Sequence, residues 1–218
     1  MSRTSTLDRI LEGGIVAVIR SESPDQLVQV VRALAEGGVT AAEITFTVPD
    51  AIEVIRRVRM EMGDSIVLGA GSVLDPETAR AALLAGAEYI VGPALNLDVI
   101  RLCRRYDKVV MPGAFTPTEV VSAWEAGADV VKIFPSDIGG PSYIKALRGP
   151  LPQVRMMPTG GVNLATAEDF LRAGACCLGI GGSLVEPRAV ASGDFGRLRD
   201  LAGQYSALVR KSRDARGG

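Results

Sequence analysis

The chain has 218 residues, a formal net charge of −1 and no histidine. This length is typical of one domain with a sizeable core, although two small domains remain compatible with it. The near-zero charge and scattered basic residues disfavour a nucleic-acid surface. The missing histidines exclude imidazole acid–base catalysis, Ser-His-Asp triads and histidine-ligated metal sites. We therefore expect no metal ion, and proton transfer by carboxylates, lysine, tyrosine, cysteine or water.

The composition also bears on where the protein works. No apolar stretch approaches the ~20 residues needed to span a bilayer, and the first nine residues lack the apolar region of a signal peptide. Cys103, Cys176 and Cys177 fit neither a disulfide framework nor a zinc pattern, and we interpret them as small buried apolar residues. We expect a cytoplasmic protein in a reducing compartment, with no membrane partner.

A helical pattern that ends in small residues and glycine recurs along the chain, each time followed by an apolar strand pattern. It occurs at 35–38, 85–88, 126–129 and 173–175. Glycine just past a helix end stops the helix, and the short gap that follows is typical of an αβ loop. The patterns predict eight strands, near 15–20, 41–46, 66–71, 89–93, 108–112, 130–135, 155–159 and 177–181.

Eight helical patterns accompany these strands, and several open with helix-start signals, as at Ser23, Asp75 and Thr116. Eight strand–helix units predict an α/β fold, a single-domain (β/α)8 TIM barrel over residues 1–218. A doubly wound open sheet is the alternative, which the number of units disfavours. The end from Arg210 onward is expected to be a frayed, solvated tail. The helices are expected near 24–36, 50–62, 76–85, 96–106, 117–126, 141–147, 165–173 and 194–211.

Lys132 is a charged amine in the middle of a buried strand pattern. Removing an ammonium group from water is costly, so burial favours loss of its proton, and a neutral amine attacks carbonyls to form a Schiff base. Only four of the 24 basic residues are lysine, and arginine cannot supply a neutral amine. The alternative is a lysine that extends its amine from the strand end into solvent, the commoner arrangement for a strand lysine.

Glu43 lies on the second predicted strand. If Ile44 and Phe46 pack against the helices, Glu43 faces the barrel interior, and the same alternation turns Lys132 inward. The carboxylate and the amine could then meet across the interior. A reactive pair and a buried structural ion pair are both compatible with this pattern.

Polar residues and glycines accumulate where the predicted strands end, which is where barrels of this type carry their chemistry. Two Gly-Gly turns, at 158–162 and 179–183, close strands seven and eight; although glycine is common at tight turns, these positions indicate a phosphate site. The segment 69–72 lacks the third glycine and the acidic residue of a dinucleotide fingerprint, so we expect no NAD. The strand-end residues are Arg20, Glu43, Thr45, Thr47, Ser72, Pro93, Lys132, Phe134, Thr159, Gly160, Gly161, Gly181, Gly182 and Ser183.

Together these residues resemble the class I family of 2-keto-3-deoxy-6-phosphogluconate (KDPG) and 4-hydroxy-2-oxoglutarate (KHG) aldolases. The resemblance implies a homotrimeric (β/α)8 barrel without a cofactor, a Schiff-base lysine at Lys132 and a proton shuttle at Glu43. It also implies a pyruvate-contacting hydroxyl at Thr159 and a phosphate site at the glycine turns with Ser183. The matching motifs span 43–47, 69–73, 111–113, 131–135 and 158–162.

Two positions depart from the family pattern. Some members carry an arginine for the substrate carboxylate where this chain has Thr47. We expect Arg20, at the end of strand one, to supply the guanidinium instead, because its bidentate fork suits a carboxylate; the alternative is a solvated strand-end charge. Ser72 replaces the commoner threonine and keeps the hydroxyl. The expected substrate-binding set is Arg20, Thr47, Ser72, Pro93, Phe134, Thr159, Gly160, Gly161, Gly181, Gly182 and Ser183.

The resemblance implies reversible cleavage of a phosphorylated 2-oxo sugar acid, 2-dehydro-3-deoxy-6-phosphogluconate, into pyruvate and glyceraldehyde 3-phosphate. For broader members it also implies cleavage of 4-hydroxy-2-oxoglutarate into pyruvate and glyoxylate. The nearest alternative is cleavage of the galactonate epimer, which differs at one stereocentre. A phosphate-binding isomerase or epimerase is disfavoured because such enzymes usually need histidine or paired acids. A non-catalytic barrel used for assembly is disfavoured by the presence of Lys132 and Glu43.

Overall fold

Parallel strands form the centre of the computed structural model, which describes residues 2–215. The strands are β1 (Ile15–Ile19), β2 (Ala41–Thr45), β3 (Val67–Gly71), β4 (Tyr89–Val91), β5 (Val109–Met111), β6 (Gly113–Ala114), β7 (Val131–Ile133), β8 (Met156–Pro158) and β9 (Leu178–Ile180). Six of them form one sheet in the order β5-β4-β3-β2-β1-β9, and the other three form a second sheet in the order β6-β7-β8. Every pairing within the two sheets is parallel.

Helices alternate with the strands along the chain, as in other parallel α/β proteins. They are α1 (Arg3–Gly13), α2 (Leu27–Glu36), α3 (Ala51–Met62), α4 (Pro76–Ala85), α5 (Leu97–Arg105), α6 (Pro117–Glu125), α7 (Gly140–Arg148), α8 (Ala167–Arg172), α9 (Pro187–Ser192) and α10 (Phe195–Asp214). A short 3-10 helix, Gly63–Ser65, follows α3. Over residues 2–215, no helix combines the length and apolar character needed to cross a membrane.

All eight predicted strands and all eight predicted helices have counterparts, and the described residues add α1, β6, α9 and the 3-10 helix. Helix α1 is capped by Ser2, whose hydroxyl accepts a hydrogen bond from the Ser5 N–H. Pro112 separates β6 from β5, because proline has no N–H to donate to a neighbouring strand. Strand β6 belongs to the second sheet. Helix α9 has only six residues, too few for a helical period to be recognised in the sequence.

The predicted frayed end from Arg210 onward is wrong for residues 210–214. Helix α10 continues to Asp214, and Val209 and Ser212 are buried along it. The Arg213 guanidinium donates hydrogen bonds to the backbone carbonyls of Leu11 and Glu12. This contact joins the last helix to the carboxyl end of α1. The final part of the predicted tail, 216–218, lies outside the described residues.

Apolar side chains divide between two layers. Alternate strand residues such as Ile44, Val131 and Ile133 pack against the helices, whereas the intervening residues form a separate interior cluster. Because successive side chains of a strand point to opposite faces, Glu43 and Lys132 lie on the interior side, as predicted. The interior cluster comprises Ile10, Val16, Ala41, Val67, Tyr89, Val91, Val109, Met111, Val130, Met157 and Cys177.

The two sheets curl around this shared interior cluster, which takes residues from both of them. Ile10 of α1 is fully buried among the first residues of the strands, so α1 covers their amino-terminal end. The α/β class of the prediction is confirmed, with a parallel sheet curled into a half-barrel. The opposite, carboxyl-terminal end of the strands carries the polar residues singled out in the sequence.

Candidate active site at the carboxyl ends of the strands

Lys132 and Glu43 are both buried in the interior. The exposed fraction of Lys132 is 3% and that of Glu43 is 0%, so the alternative of a lysine reaching solvent is wrong. Within residues 2–215, neither carboxylate oxygen of Glu43 has a hydrogen-bond partner, and therefore Lys132 does not donate to the carboxylate. The pair is not a hydrogen-bonded structural ion pair, the arrangement that would compensate for burying two charges.

Burial shifts the pKa of each group in the direction that favours its neutral form. Burial raises the pKa of the Glu43 carboxyl group, and the charges of Lys132 and Arg20 oppose that rise. Burial likewise lowers the pKa of Lys132; the charge of Glu43 opposes this shift and that of Arg20 adds to it. A lysine with a lowered pKa supplies a larger fraction of free amine near neutral pH, which a nucleophile requires.

Phe134 and Pro135 follow Lys132 at the end of β7. The Lys132 Nζ lies 5.1 Å from the centroid of the Phe134 ring, close enough for a cation–π contact when the amine is protonated. The Phe134–Pro135 peptide bond is cis. Phe134 is thus an apolar wall beside the amine, where sequence reasoning placed a substrate contact.

A chain of hydroxyl groups links Thr47 to the end of β1. The buried Thr45 hydroxyl donates to the Ile19 carbonyl oxygen at 3.0 Å, and its oxygen lies 2.7 Å from that of Thr47. Because Thr45 has a single hydroxyl proton, Thr47 is the donor in the second bond. Thr45 thereby fixes Thr47 beside Arg20, which follows Ile19 directly.

Thr159 lies beside strand β9, which it joins through a parallel bridge to Gly179. A Cβ on Gly179 would lie 2.2 Å from the Thr159 Oγ1, so only glycine leaves room for this hydroxyl. The hydroxyl is buried and has no hydrogen-bond partner among the described residues. Such an unpaired polar group is costly without a ligand or water to bind, and Thr159 is therefore a candidate substrate contact.

The two glycine turns are neighbours but differ in conformation. Gly160 and Gly161 have φ values of 96° and 70°, in the left-handed region that favours glycine. Gly181 accepts hydrogen bonds from the N–H groups of Leu184 and Val185, and a Cβ on it would meet no atom within 4 Å. Open space therefore lies above the second turn.

The remaining predicted contacts also lie at strand ends. Ser72 follows β3 with φ at 58°, an uncommon left-handed conformation for a residue other than glycine. The backbone of Pro93 lies against Gly113, where a Cβ would be 2.3 Å from the Pro93 carbonyl oxygen. Ser183 is exposed, and its carbonyl oxygen accepts a hydrogen bond from the Tyr205 hydroxyl at 3.3 Å.

A cleft of about 680 Å³ is lined by Arg20, Thr47 and Arg188, and of the predicted site residues it brings together Arg20 and Thr47. Arg188 belongs to α9, the short helix that sequence reasoning missed, so this second arginine was missed with it. Pro187 at the first position of the helix is a start signal that could have revealed both. Thr45, which holds Thr47, was noticed as a strand-end residue but was assigned no role.

The family model described as KDPG and KHG aldolase matches residues 7–201. The chain belongs to the KDPG and KHG aldolase family. It is 36% identical over 197 residues to the 2-dehydro-3-deoxy-phosphogluconate aldolase of Treponema pallidum, with 89% of this chain and 93% of the relative covered. It is also 36% identical to the 2-dehydro-3-deoxy-6-phosphogalactonate aldolase of Escherichia coli strain K12, with 92% and 95% covered.

A solved structure described as native KDPGal matches this aldolase-family chain with a TM-score of 0.86 and 33% sequence identity. The match covers 92% of this chain and 96% of the other. The family resemblance inferred from the strand-end motifs is thus confirmed. Because the gluconate and galactonate relatives are equally identical to this chain, overall identity does not choose between the two epimers.

Proposed function

We propose that the chain is a class I aldolase that reversibly cleaves 2-dehydro-3-deoxy-6-phosphogluconate into pyruvate and glyceraldehyde 3-phosphate. One observation carries this proposal: Lys132 is a buried amine whose pKa is lowered by that burial, and it shares the interior with Glu43, a buried carboxyl group that has no hydrogen-bond partner from residues 2–215. A nucleophilic amine and a mobile proton carrier are the two groups that this reaction needs.

In the proposed mechanism the free amine of Lys132 attacks the C2 carbonyl carbon of the substrate. The carbinolamine hydroxyl takes up one proton from solvent and leaves as water, which gives a protonated imine. Glu43, ionised and acting directly or through one water, removes the proton from the C4 hydroxyl. The C3–C4 bond then breaks, its electron pair moves to the imine to form an enamine, and glyceraldehyde 3-phosphate leaves.

The second half returns the protein to its starting state. Protonated Glu43 delivers its proton to C3 of the enamine, which restores the imine. Water adds to the protonated imine carbon, one proton returns to solvent, and pyruvate and the free amine of Lys132 are released. Glu43 carries the proton from the C4 hydroxyl to C3, solvent supplies and takes back the proton of the imine, and the sequence needs neither a metal ion nor an organic cofactor.

The substrate's two charged ends are assigned to separate groups. Arg20 and Thr47 hold the carboxylate, supported by their common cleft and by the influence of the Arg20 charge on Lys132 and Glu43. Thr159, Ser72, Pro93 and Phe134 surround the pyruvyl part. The phosphate is bound by the backbone of Gly160, Gly161, Gly181 and Gly182 and by the Ser183 hydroxyl. Open space at Gly181 supports this last assignment.

The galactonate epimer is the second candidate substrate. This candidate is supported by the 36% identity to the galactonate aldolase of Escherichia coli and by the similarity to the KDPGal structure. That support is as strong as the support that the gluconate relatives give to the gluconate derivative. Activity on unphosphorylated 4-hydroxy-2-oxoglutarate would yield pyruvate and glyoxylate by the same steps. A non-catalytic assembly protein would gain nothing from an unpaired carboxyl group buried beside a buried amine.

We also propose that the half-barrel is completed into a single-domain (β/α)8 barrel and that the protein works as a cytoplasmic homotrimer. The Thr159–Gly179 bridge supports closure on one side, and the short connection through Pro112 between β5 and β6 supports it on the other. The trimer rests on family membership. Cys103, Cys176 and Cys177 are free thiols, as in a reducing cytoplasm.

The proposal is tested by measuring pyruvate release from the gluconate, galactonate and unphosphorylated substrates side by side. We expect cleavage of at least one phosphorylated epimer, with a kcat/KM that exceeds that for 4-hydroxy-2-oxoglutarate. Lys132→Arg should abolish cleavage, whereas Lys145→Arg, at an exposed lysine, should leave it unchanged. Absence of pyruvate release from all three substrates would overturn the proposed function.

A further inference from the structure

Tyr89 on β4 contains a buried polar group that the mechanism does not use. Its side chain is fully buried in the interior cluster, and its hydroxyl has no hydrogen-bond partner in the part of the chain that the structure describes. Buried tyrosine hydroxyls usually find a partner, because leaving one unpaired in an apolar interior is unfavourable. A phenylalanine would fill the same space without that disadvantage.

The strand register brings Tyr89 towards Glu43. Glu43 on β2 pairs with Gly69 on β3, and Gly69 pairs in turn with Tyr89. Glu43, Gly69 and Tyr89 therefore lie at one level of the sheet. The side chains of Glu43 on β2 and Tyr89 on β4 face the interior on either side of Gly69 on β3. Gly69 places no side chain between them.

The Tyr89 ring occupies the space that Gly69 leaves empty. A Cβ on Gly69 would lie 2.3 Å from Cζ of Tyr89, the ring carbon that carries the hydroxyl. The ring thus crosses β3 in the direction of β2, and its polar end is directed towards Glu43. After burial, the negative charge of Glu43 is the largest influence that raises the pKa of Tyr89, in keeping with this geometry.

We propose that Tyr89 is a positioning residue for Glu43: during turnover its hydroxyl donates a hydrogen bond to the ionised carboxylate, directly or through one water. This inference rests on the proposed function, in which Glu43 alternates between its ionised and protonated forms. A donor beside the carboxylate stabilises the ionised form and fixes the oxygen that receives the substrate proton. It would offset part of the effect of burial on Glu43.

Other titratable groups also face this pair. Lys132 from β7 and Arg20 from the end of β1 act on Glu43. Cys177, just before β9, and Glu88, which precedes β4, act on Tyr89. Glu88 is bound by Arg59 at 2.9 Å and is therefore occupied. Among these groups, Glu43 has both carboxylate oxygens free of hydrogen bonds from the described residues. It is also the group that gains and loses a proton in the proposed mechanism.

The test compares Tyr89→Phe, which removes only the hydroxyl, with Tyr106→Phe, which removes the hydroxyl of a partly exposed tyrosine beneath Arg80. Two quantities are measured in the full-length proteins. The first is the pH dependence of kcat and KM for cleavage. The second is the pKa of Glu43 by carbon-13 NMR of carboxyl-labelled protein, with the resonance assigned through Glu43→Gln.

In Tyr89→Phe we expect the Glu43 pKa and the acidic limb of the kcat profile to move up by roughly half a pH unit to one unit. Turnover near neutral pH should fall about three- to tenfold, with little change in KM and with unchanged borohydride trapping of pyruvate at Lys132. Tyr106→Phe should match the wild type throughout.

An unshifted Glu43 pKa together with an unshifted kcat profile in Tyr89→Phe would overturn the positioning role, even if the variant were more or less stable than the wild type. If the wild type releases no pyruvate, the proposed function fails, and the NMR measurement still decides whether Tyr89 acts on Glu43.

Discussion

Gly71 on β3 lies directly against the carboxyl group of Glu43: a Cβ on Gly71 would lie only 2.5 Å from Oε1 of Glu43. Gly71 pairs with Thr45, whereas Gly69 pairs with Glu43 itself. The Glu43 side chain therefore extends from its own level towards the carboxyl ends of the strands. Glycine at 71 allows the carboxyl group to reach the end of the interior where the substrate is proposed to bind.

The first prediction follows from this contact. In Gly71→Ala the added methyl group displaces the Glu43 carboxyl group, and we expect turnover to fall at least about tenfold, in the range typical for a misplaced acid–base group. Trapping of pyruvate on Lys132 by borohydride should persist, because the amine is untouched. Gly203→Ala, on α10 with no atom within 4 Å of the new methyl group, is the control. Wild-type turnover in a folded Gly71→Ala protein would show that the position of Glu43 does not matter.

The second prediction concerns Arg20, whose positive charge opposes the raised pKa of Glu43 and adds to the lowering of the pKa of Lys132. In Arg20→Gln both pKa values should therefore rise. The mechanism needs ionised Glu43 and neutral Lys132, so activity should appear only at higher pH than in the wild type. The KM for the 2-oxo acid should also rise about tenfold or more, because a charge-assisted contact to the carboxylate is lost.

Arg20→Lys keeps the charge but loses the bidentate fork, and it separates these two effects. It should retain the wild-type pH profile while its KM rises. If Arg20→Gln leaves both the pH profile and the KM unchanged, Arg20 is a solvated strand-end charge and the carboxylate is held elsewhere.

The third prediction concerns Asp137, which packs against the first glycine turn. A Cβ on Gly161 would lie 2.7 Å from the Asp137 Cβ, and one on Gly160 would lie 3.2 Å from its Oδ1. Its carboxylate therefore lies beside the proposed phosphate site and repels a phosphate. Asp137→Asn should lower the KM for the phosphorylated substrate about two- to fivefold at low salt, with a smaller effect at high salt.

The unphosphorylated substrate provides the internal control for this variant, since its KM should change little. Asp200→Asn makes the same charge change at an exposed position on α10 and should leave both KM values unaltered. Equal changes in KM for the two substrates in Asp137→Asn would place the phosphate away from Gly160 and Gly161.

The sequence predicted the strands and the inward direction of Glu43 and Lys132, because both follow from alternation within a single strand. It missed α1, although Leu7, Ile10 and Leu11 have helical spacing and pack on the interior. This amphipathic pattern precedes the first strand–helix unit and so lies outside the repeat from which the helices were predicted.

Contacts that depend on the pairing of strands could not be predicted in this way. The relations of Glu43 to Gly71 and of Tyr89 to Gly69 depend on register across β2, β3 and β4. A single sequence contains no register information between parallel strands that are separated by helices. For the same reason Thr159 could be predicted as a site residue, but its need for glycine at 179 could not.

Treating the protein with pyruvate and borohydride, and mapping the modified peptide by mass spectrometry, shows whether Lys132 forms the imine with the substrate. We expect one reduced pyruvyl group per chain, on Lys132, and none on Lys108, Lys145 or Lys211. Glu43→Gln should be modified at the same position, since imine formation precedes its proton transfer. An unmodified wild-type protein, or an adduct on another lysine, would show that Lys132 is not the imine-forming residue.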